Sequence, residues 1–199
     1  NLYLTTQLIE LGIPVVVAVN MMDVVEKSGD TIDFGKLGKE LGCEVVPVSA
    51  LKGNGVKEAA EKAVKTAKRN SGVKILHSFD NRLEEWLSEI EKRIGINVPD
   101  EQKRFYAIKL FEGDNKIRNL MNIVPDVSDI VSKAEKELDD DAESIITDAR
   151  YKYISSIIGG CYKKNKKKKL TASDKIDRVV TNRWLALPIF AVVMLIVYY

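Results

Sequence analysis

At 199 residues the chain has room for one to two domains. Charged residues make up 30% of it, but 31 Lys and Arg nearly balance 29 Asp and Glu, and the net charge of +2 excludes the uniformly basic surface of a general nucleic-acid binder. Two cysteines, Cys43 and Cys161, and a single histidine, His77, exclude a disulfide framework, a zinc site, a histidine metal cluster and a histidine-dependent triad, and suit a reducing cytoplasm.

The chain opens inside an amphipathic helix, with Leu4, Leu8 and Leu11 on one face and Gly12 as its stop. No Met or signal peptide precedes it, and a domain does not normally start in mid-helix, so the expectation is a fragment. The apolar run 13–19 then reads as a buried parallel strand, and it ends in Asn20-Met21-Met22-Asp23. A strand that delivers an Asn and an Asp to the carboxyl edge of a sheet puts them where nucleotides bind. The Asp23 carboxylate can accept from both N1–H and the exocyclic amine of guanine. Adenine has no such amine and carries an acceptor at N1, so the carboxylate would stay unpaired, a difference worth roughly 10⁴-fold in discrimination. The Asn20 amide would bond the N7 side of the base and tie neighbouring loops together. Met21 stands where most small GTPases place a Lys, and offers an apolar stem over the base.

A short helix over 34–41 and a second buried strand over 44–49 follow, the latter led by Cys43, which reads as a core thiol. This strand runs into Ser49-Ala50, the usual form of the loop whose backbone N–H meets guanine O6. Two base-reading elements, each ending a strand and about 29 residues apart, are what distinguish this match from the second N-x-x-D. That one, Asn97-Val98-Pro99-Asp100, has no strand before it and reads as a turn and helix start. A helix over 56–69, with Val56, Ala60, Ala63, Val64 and Ala67 as its stripe, completes an α/β alternation that predicts a parallel sheet covered by helices. No G-x-x-x-x-G-K-[ST] is present, so the phosphate loop, the Mg²⁺ ligands and the switch segments are not in this chain.

Residues 70–165 lose their strands. Leu83, Trp86, Leu87, Ile90 and Ile94 make one helical stripe, stopped by Gly95; Phe105, Ile108 and Phe111 a second, running to Gly113-Asp114. Val127, Ile130, Val131, Ala134 and Leu138, after Pro125-Asp126, form a third, and Ile145, Ile146, Ala149, Tyr153, Ile154 and Ile157 a fourth that Gly159-Gly160 should end. The stripes are the core of an all-α domain; His77 reads as a surface or helix-start residue before it. An acidic stretch, Glu135 to Asp141, and then six lysines within Lys163–Lys169 follow. The lysines read either as a solvated loop or as a contact with anionic headgroups, worth about 1 kcal/mol per Lys close to the surface. After a polar amphipathic stretch from Thr171 to Arg183, the sixteen residues Trp184–Tyr199 carry no charge. They span roughly 24 Å as a helix, less than a bilayer core of about 30 Å. Lys175, Arg178 and Arg183 before the run and Trp184 at its start predict a truncated first transmembrane helix with its amino-terminal side in the cytoplasm.

A guanine-reading half-domain, a helical domain and a membrane span in this order resemble the ferrous iron transport protein B family of bacteria and archaea. The resembling segments are Asn1-Leu2-Tyr3-Leu4-Thr5 through Asn20-Met21-Met22-Asp23, Val48-Ser49-Ala50, Ala107-Ile108-Lys109-Leu110 with Glu112-Gly113-Asp114, Ala149-Arg150-Tyr151 with Ile154, Asp174-Lys175-Ile176-Asp177-Arg178, and Thr181-Asn182-Arg183-Trp184 with Pro188-Ile189-Phe190. The resemblance implies a P-loop GTPase-type α/β fold, present in part, over 1–69. It further implies a helical GDI-like domain over 70–165, a basic linker over 166–183 and the start of the first transmembrane helix over 184–199. It implies GTP or GDP as ligand, with Asn20, Met21, Asp23, Ser49 and Ala50 at the base, and Mg²⁺ in the full-length protein on residues outside this chain. It implies GTP hydrolysis by the whole protein and none by this piece alone, a multi-pass place in the cytoplasmic membrane, the lipid bilayer as partner and Fe²⁺ as cargo of a membrane domain. No nucleic-acid partner is expected, and homo-oligomerisation stays open. The alternative is a soluble ribosome-associated GTPase with a basic RNA-binding helical region, for which the uncharged C-terminus has no use; a membrane-anchored scaffold without nucleotide binding is a third reading.

Overall fold

A computed structural model describes residues 2–69, 78–96, 98–165, 181–182 and 186–199. His77, Trp184, Lys166–Lys169 and most of the 171–183 stretch, all singled out above, lie outside them.

Helix α1 (Leu2–Glu10) leads into β1 (Val16–Val19), α2 (Met22–Ser28), β2 (Thr31–Ile32), α3 (Phe34–Leu41), β3 (Glu44–Pro47) and α4 (Val56–Arg69). β1 and β3 pair in parallel, Val16 opposite Glu44 and Val19 opposite Pro47, with α3 as the crossover helix. Asp33 starts α3 by accepting from Lys36 N at 2.9 Å, and left-handed Gly42 ends it. The first strand is shorter than expected, because Pro14 lacks an N–H and pairing begins only at Val16.

Two helices turn differently from the apolar pattern. In α1 the buried residues are Thr6, Ile9 and Glu10, while Leu4 and Leu8 are exposed. The reason is ionic: Glu10 is drawn inside by a buried arginine, and α1 packs on helices from the second half of the chain. In α4 the expected stripe is open, with Val56 and Val64 exposed. Two strands about 5 Å apart are narrower than the helix, whose diameter with side chains is about 10 Å, so they cover only part of it.

The second half is helical: α5 (Asn81–Ile94), α6 (Asp100–Phe111), α7 (Asn115–Leu120), α8 (Ser128–Leu138) and α9 (Ala142–Cys161). Asp80 caps α5, Asp114 caps α7 and Asp141 caps α9, each accepting from backbone N–H groups of the first turn. Leu83, Leu87, Ile90, Ile108, Leu110, Phe111, Ala134 and Ile146 form an apolar core, in which the Trp86 and Phe111 rings stack at 6.4 Å.

Helix α9 does not stop at Gly159-Gly160 but continues to Cys161. Packing overrides the glycine signal: Ile157 and Cys161 sit in a second core with Ile9, Leu37, Leu41 and Val45. A Cβ at Gly160 would press on the Lys36 ammonium group. One helix therefore belongs to both cores. Two further contacts join the halves. Arg150 of α9, fully buried, donates to Glu10 of α1 at 3.2 and 2.7 Å and to Glu112, just past α6, at 2.6 Å. Next, β4 (Tyr162–Lys163) pairs antiparallel with β2, a strand in a region where none was expected.

The last described helix, α10 (Ala186–Tyr198), is strongly apolar, and Leu187, Phe190, Leu195, Ile196 and Val197 are exposed. Its Pro188 falls in the first turn, where a missing N–H is tolerated. No helix among the described residues is long and apolar enough to cross a membrane.

Candidate functional site

β1 and β3 deliver their carboxyl ends side by side, and the two loops that follow meet there. Asn20 directs its amide oxygen back to Met21 N at 2.8 Å and across to Ala50 N at 3.1 Å, so one side chain joins both loops. Ser49 donates its hydroxyl to Asp23 Oδ1 at 2.9 Å. Backbone bonds from Val48 N to Val19 O and from Met22 N to Val48 O close the remaining gap. All five residues expected at the site are thus brought together, and the expectation that Asn20 ties the loops is met by a hydrogen bond.

The burial pattern separates their roles. Asp23 and Ser49 are buried at 7% and 3% exposure, whereas Asn20, Met21 and Ala50 stand open to solvent. The Ser49 hydroxyl holds the Asp23 carboxyl below its ordinary pKa against the opposing effect of burial, with a smaller contribution from Lys52. The result is an ionised acceptor, fixed in rotamer, at the rim of an open edge. Lys52 carries no motif that would have marked it in the sequence.

The backbone is shaped for this. Met21 is one of two non-glycine residues with positive φ among the described ones, at 67°, a conformation that costs on the order of 1 kcal/mol or more for a side chain with a Cβ. It aims the N–H groups of Met21 and Met22 in different directions, one at Asn20 and the other at Val48. Across the cleft, Ser49 and Asn54 exchange backbone bonds at 2.9 and 3.1 Å and fold 49–54 into a closed loop. Gly55, at φ 74°, must be glycine, because a Cβ there would run into the Pro47 carbonyl.

The family model "Ferrous iron transport protein B" matches residues 1–63, and "FeoB cytosolic helical domain" matches 79–163. The Fe(2+) transporter FeoB of Escherichia coli K12 is 34% identical over the whole chain. The chain belongs to the FeoB family. A FeoA/FeoB fusion protein of Porphyromonas gingivalis is also 34% identical over the whole chain. The chain spans 25% of the length of either relative. Among solved structures, a GDP-bound point mutant of the S. thermophilus FeoB G-domain superposes with a TM-score of 0.77 at 40% identity, covering 82% of this chain and 64% of that one. NFeoB from S. thermophilus bound to GDP.AlF4- and K+ gives 0.72 at 41%, covering 79% and 63%. The fold is thus part of an α/β G domain followed by the FeoB helical domain. Away from these loops, sequence reasoning missed the buried Arg150 cluster and the β2–β4 ribbon: an Arg, two Glu and a Tyr scattered from position 3 to 150 carry no local pattern.

Proposed function

We propose that this chain reads guanine nucleotide for a ferrous iron transporter, as the cytoplasmic part of a longer membrane protein. The observation that carries the reading is the Ser49–Asp23 hydrogen bond, at the joined loops that follow β1 and β3. An ionised carboxylate suits the N1–H and amine edge of guanine, and O6 would be met on the neighbouring loop at Ala50, whose N–H is held by the Asn20 amide oxygen until a base takes its place. GDP or GTP is the ligand that fits this donor and acceptor set. No residue of this chain is assigned to the phosphates or to Mg²⁺, and hydrolysis belongs to the whole protein.

The division at about residue 69 is part of the proposal, supported by the two separate family matches, 1–63 and 79–163, while the end of α9 packs back into the core of the first part. Residues 166–183 are read as the linker and 184–199 as the start of a membrane segment. The exposed apolar surface of α10, 13 residues or about 20 Å long, supports contact with lipid hydrocarbon. On this reading the chain up to about Arg183 faces the cytoplasm, and Fe²⁺ is cargo of a membrane domain outside this chain.

The test is Fe²⁺ uptake by cells that lack their own ferrous transporter and express the complete gene, native or Asp23→Asn, at matched membrane levels. Uptake by the native protein and its loss in the variant are expected. No uptake by either protein would overturn the transporter reading and favour the RNA-binding GTPase, whose RNA affinity would fall steeply with salt.

A further inference from the structure

The far end of the base-reading helix is tied to the segment that leaves the helical domain. α2 begins at the Asn20–Asp23 loop, is seven residues or about 10 Å long, and ends at left-handed Gly29. Its last turn is closed by Gly29 N to Glu26 O and Asp30 N to Val25 O. The Asp30 carboxylate then spends one oxygen on the Tyr162 hydroxyl and the other on the Asn165 N–H, both at 2.8 Å. Between these bonds, Thr31 and Ile32 pair with Lys163 and Tyr162, and Asp33 N donates to Cys161 O at 2.8 Å. Gly29 lets the two segments touch, since a Cβ there would overlap the Asn165 amide.

We propose that residues 162–165 form a strap, with Asp30 as its buckle, that couples occupancy of the base pocket to the point where the lysine-rich segment begins. The inference rests on the guanine reading above. α2 is held at its start by Met22 N to Val48 O and at its end by the strap, so a nucleotide that fixes Asp23 in the first turn also fixes Asp30 one helix length away. The ribbon has two paired residues on each side and lies at the surface. A two-stranded ribbon of this size has little stability of its own, which makes its pairing sensitive to what α2 does. Linkage makes the coupling reciprocal: loosening the strap must weaken nucleotide binding by the same factor that nucleotide tightens the strap. The side chains involved are positioning residues, since none reaches the base.

Amide hydrogen exchange on the full-length protein, with and without saturating GDP, tests this together with GDP release from Asp30→Ala and Tyr162→Phe. Tyr162→Phe keeps the ring and removes only the hydroxyl, which guards against simple misfolding. GDP is expected to slow exchange at 20–23 and 49–50 and also at Asp33 and Asn165. Asp30→Ala should abolish the second effect and speed GDP release about fivefold, the lower end of coupling between sites; Tyr162→Phe should do so to a smaller degree. Asp30→Asn, which keeps an acceptor for the Asn165 N–H, should restore part of the coupling. Protection of the base loops with no change at Asp33 and Asn165, and native release rates in the variants, would overturn the strap and leave the guanine reading standing. No protection at the base loops would overturn that reading and the strap with it.

Discussion

Replacing Arg150 by Met should lower stability by about 3–5 kcal/mol, the range for breaking a buried ion pair from one side. The guanidinium is fully buried and serves two carboxylates, Glu10 of α1 at 0% side-chain exposure and Glu112, just past α6, at 8%. Burial disfavours its charge, but the Glu10 hydrogen bonds and both carboxylates outweigh that and hold its pKa above the ordinary value. Tyr3 stacks under the guanidinium at 5.5 Å and contributes a further contact. Met fills a similar volume and favours helix, so the loss reports the broken ion pairs rather than a cavity, with Glu112 still held by Lys109 at 2.6 Å. With a urea slope of about 2 kcal/mol/M, the unfolding midpoint followed by circular dichroism should fall by about 1.5–2.5 M. Glu10→Gln combined with Arg150→Met removes the buried Glu10 charge and should recover about 1 kcal/mol or more of the loss. A midpoint shift below about 0.3 M for Arg150→Met would refute the claim that this triad joins α1 to α9.

Other groups give sharper, smaller effects. Arg93 grips both oxygens of Asp129 at 2.5 and 2.7 Å, joining α5 to α8, and this holds the Asp129 carboxyl down at about 2 from its ordinary 3.8. Because the folded-state pKa is the lower one, the unfolded chain binds the proton more readily between these values. The contribution is therefore complete above about pH 4 and lost as pH falls through 2, and acid unfolding of Asp129→Asn should show a shallower pH dependence in that window; an identical slope would refute it. Burial pushes the Cys43 thiol up to about 11 and raises that of Cys161 as well, so at pH 8 both should alkylate with iodoacetamide far more slowly than free cysteine. Complete labelling within minutes under native conditions would contradict the packing of the second core. Ser49→Ala removes the donor that fixes the Asp23 carboxylate and should weaken GDP binding about tenfold in the full-length protein, the worth of one charge-assisted hydrogen bond. An unchanged affinity, measured by fluorescent GDP titration, would mean that Asp23 needs no such support.

Sequence reasoning succeeded where local chemistry and local packing coincide. Leu83, Leu87 and Ile90 repeat at helical spacing and are buried at that spacing, and Asn20, Asp23, Ser49 and Ala50 follow strands whose parallel pairing forces their loops together. It failed where long-range contacts override the local pattern. Leu4 and Leu8 looked like a buried face, yet the ion pair of Glu10 with Arg150, 140 residues away, turns that face outward. Gly159-Gly160 looked like a helix stop, but Ile157 and Cys161 pack into the other core and carry α9 through it. β2 and β4 are two residues each, too short for any alternation to register, and they exist because Asp30 and Cys161 supply bonds at their ends.

The central claim is that Asp23 reads the base, and a base-specificity switch tests it most directly. Xanthine differs from guanine in having a carbonyl in place of the exocyclic amine, while N1–H remains. An Asn at position 23 can accept from N1–H and donate to that carbonyl, whereas the native carboxylate faces it with an acceptor. Titration of the full-length protein with fluorescent guanosine and xanthosine diphosphates should show native preference for guanine, and Asp23→Asn should reverse it, with guanine affinity falling by roughly 10³-fold or more as its amine loses its acceptor. An Asp23→Asn variant that still prefers guanine as strongly as the native protein would contradict the account.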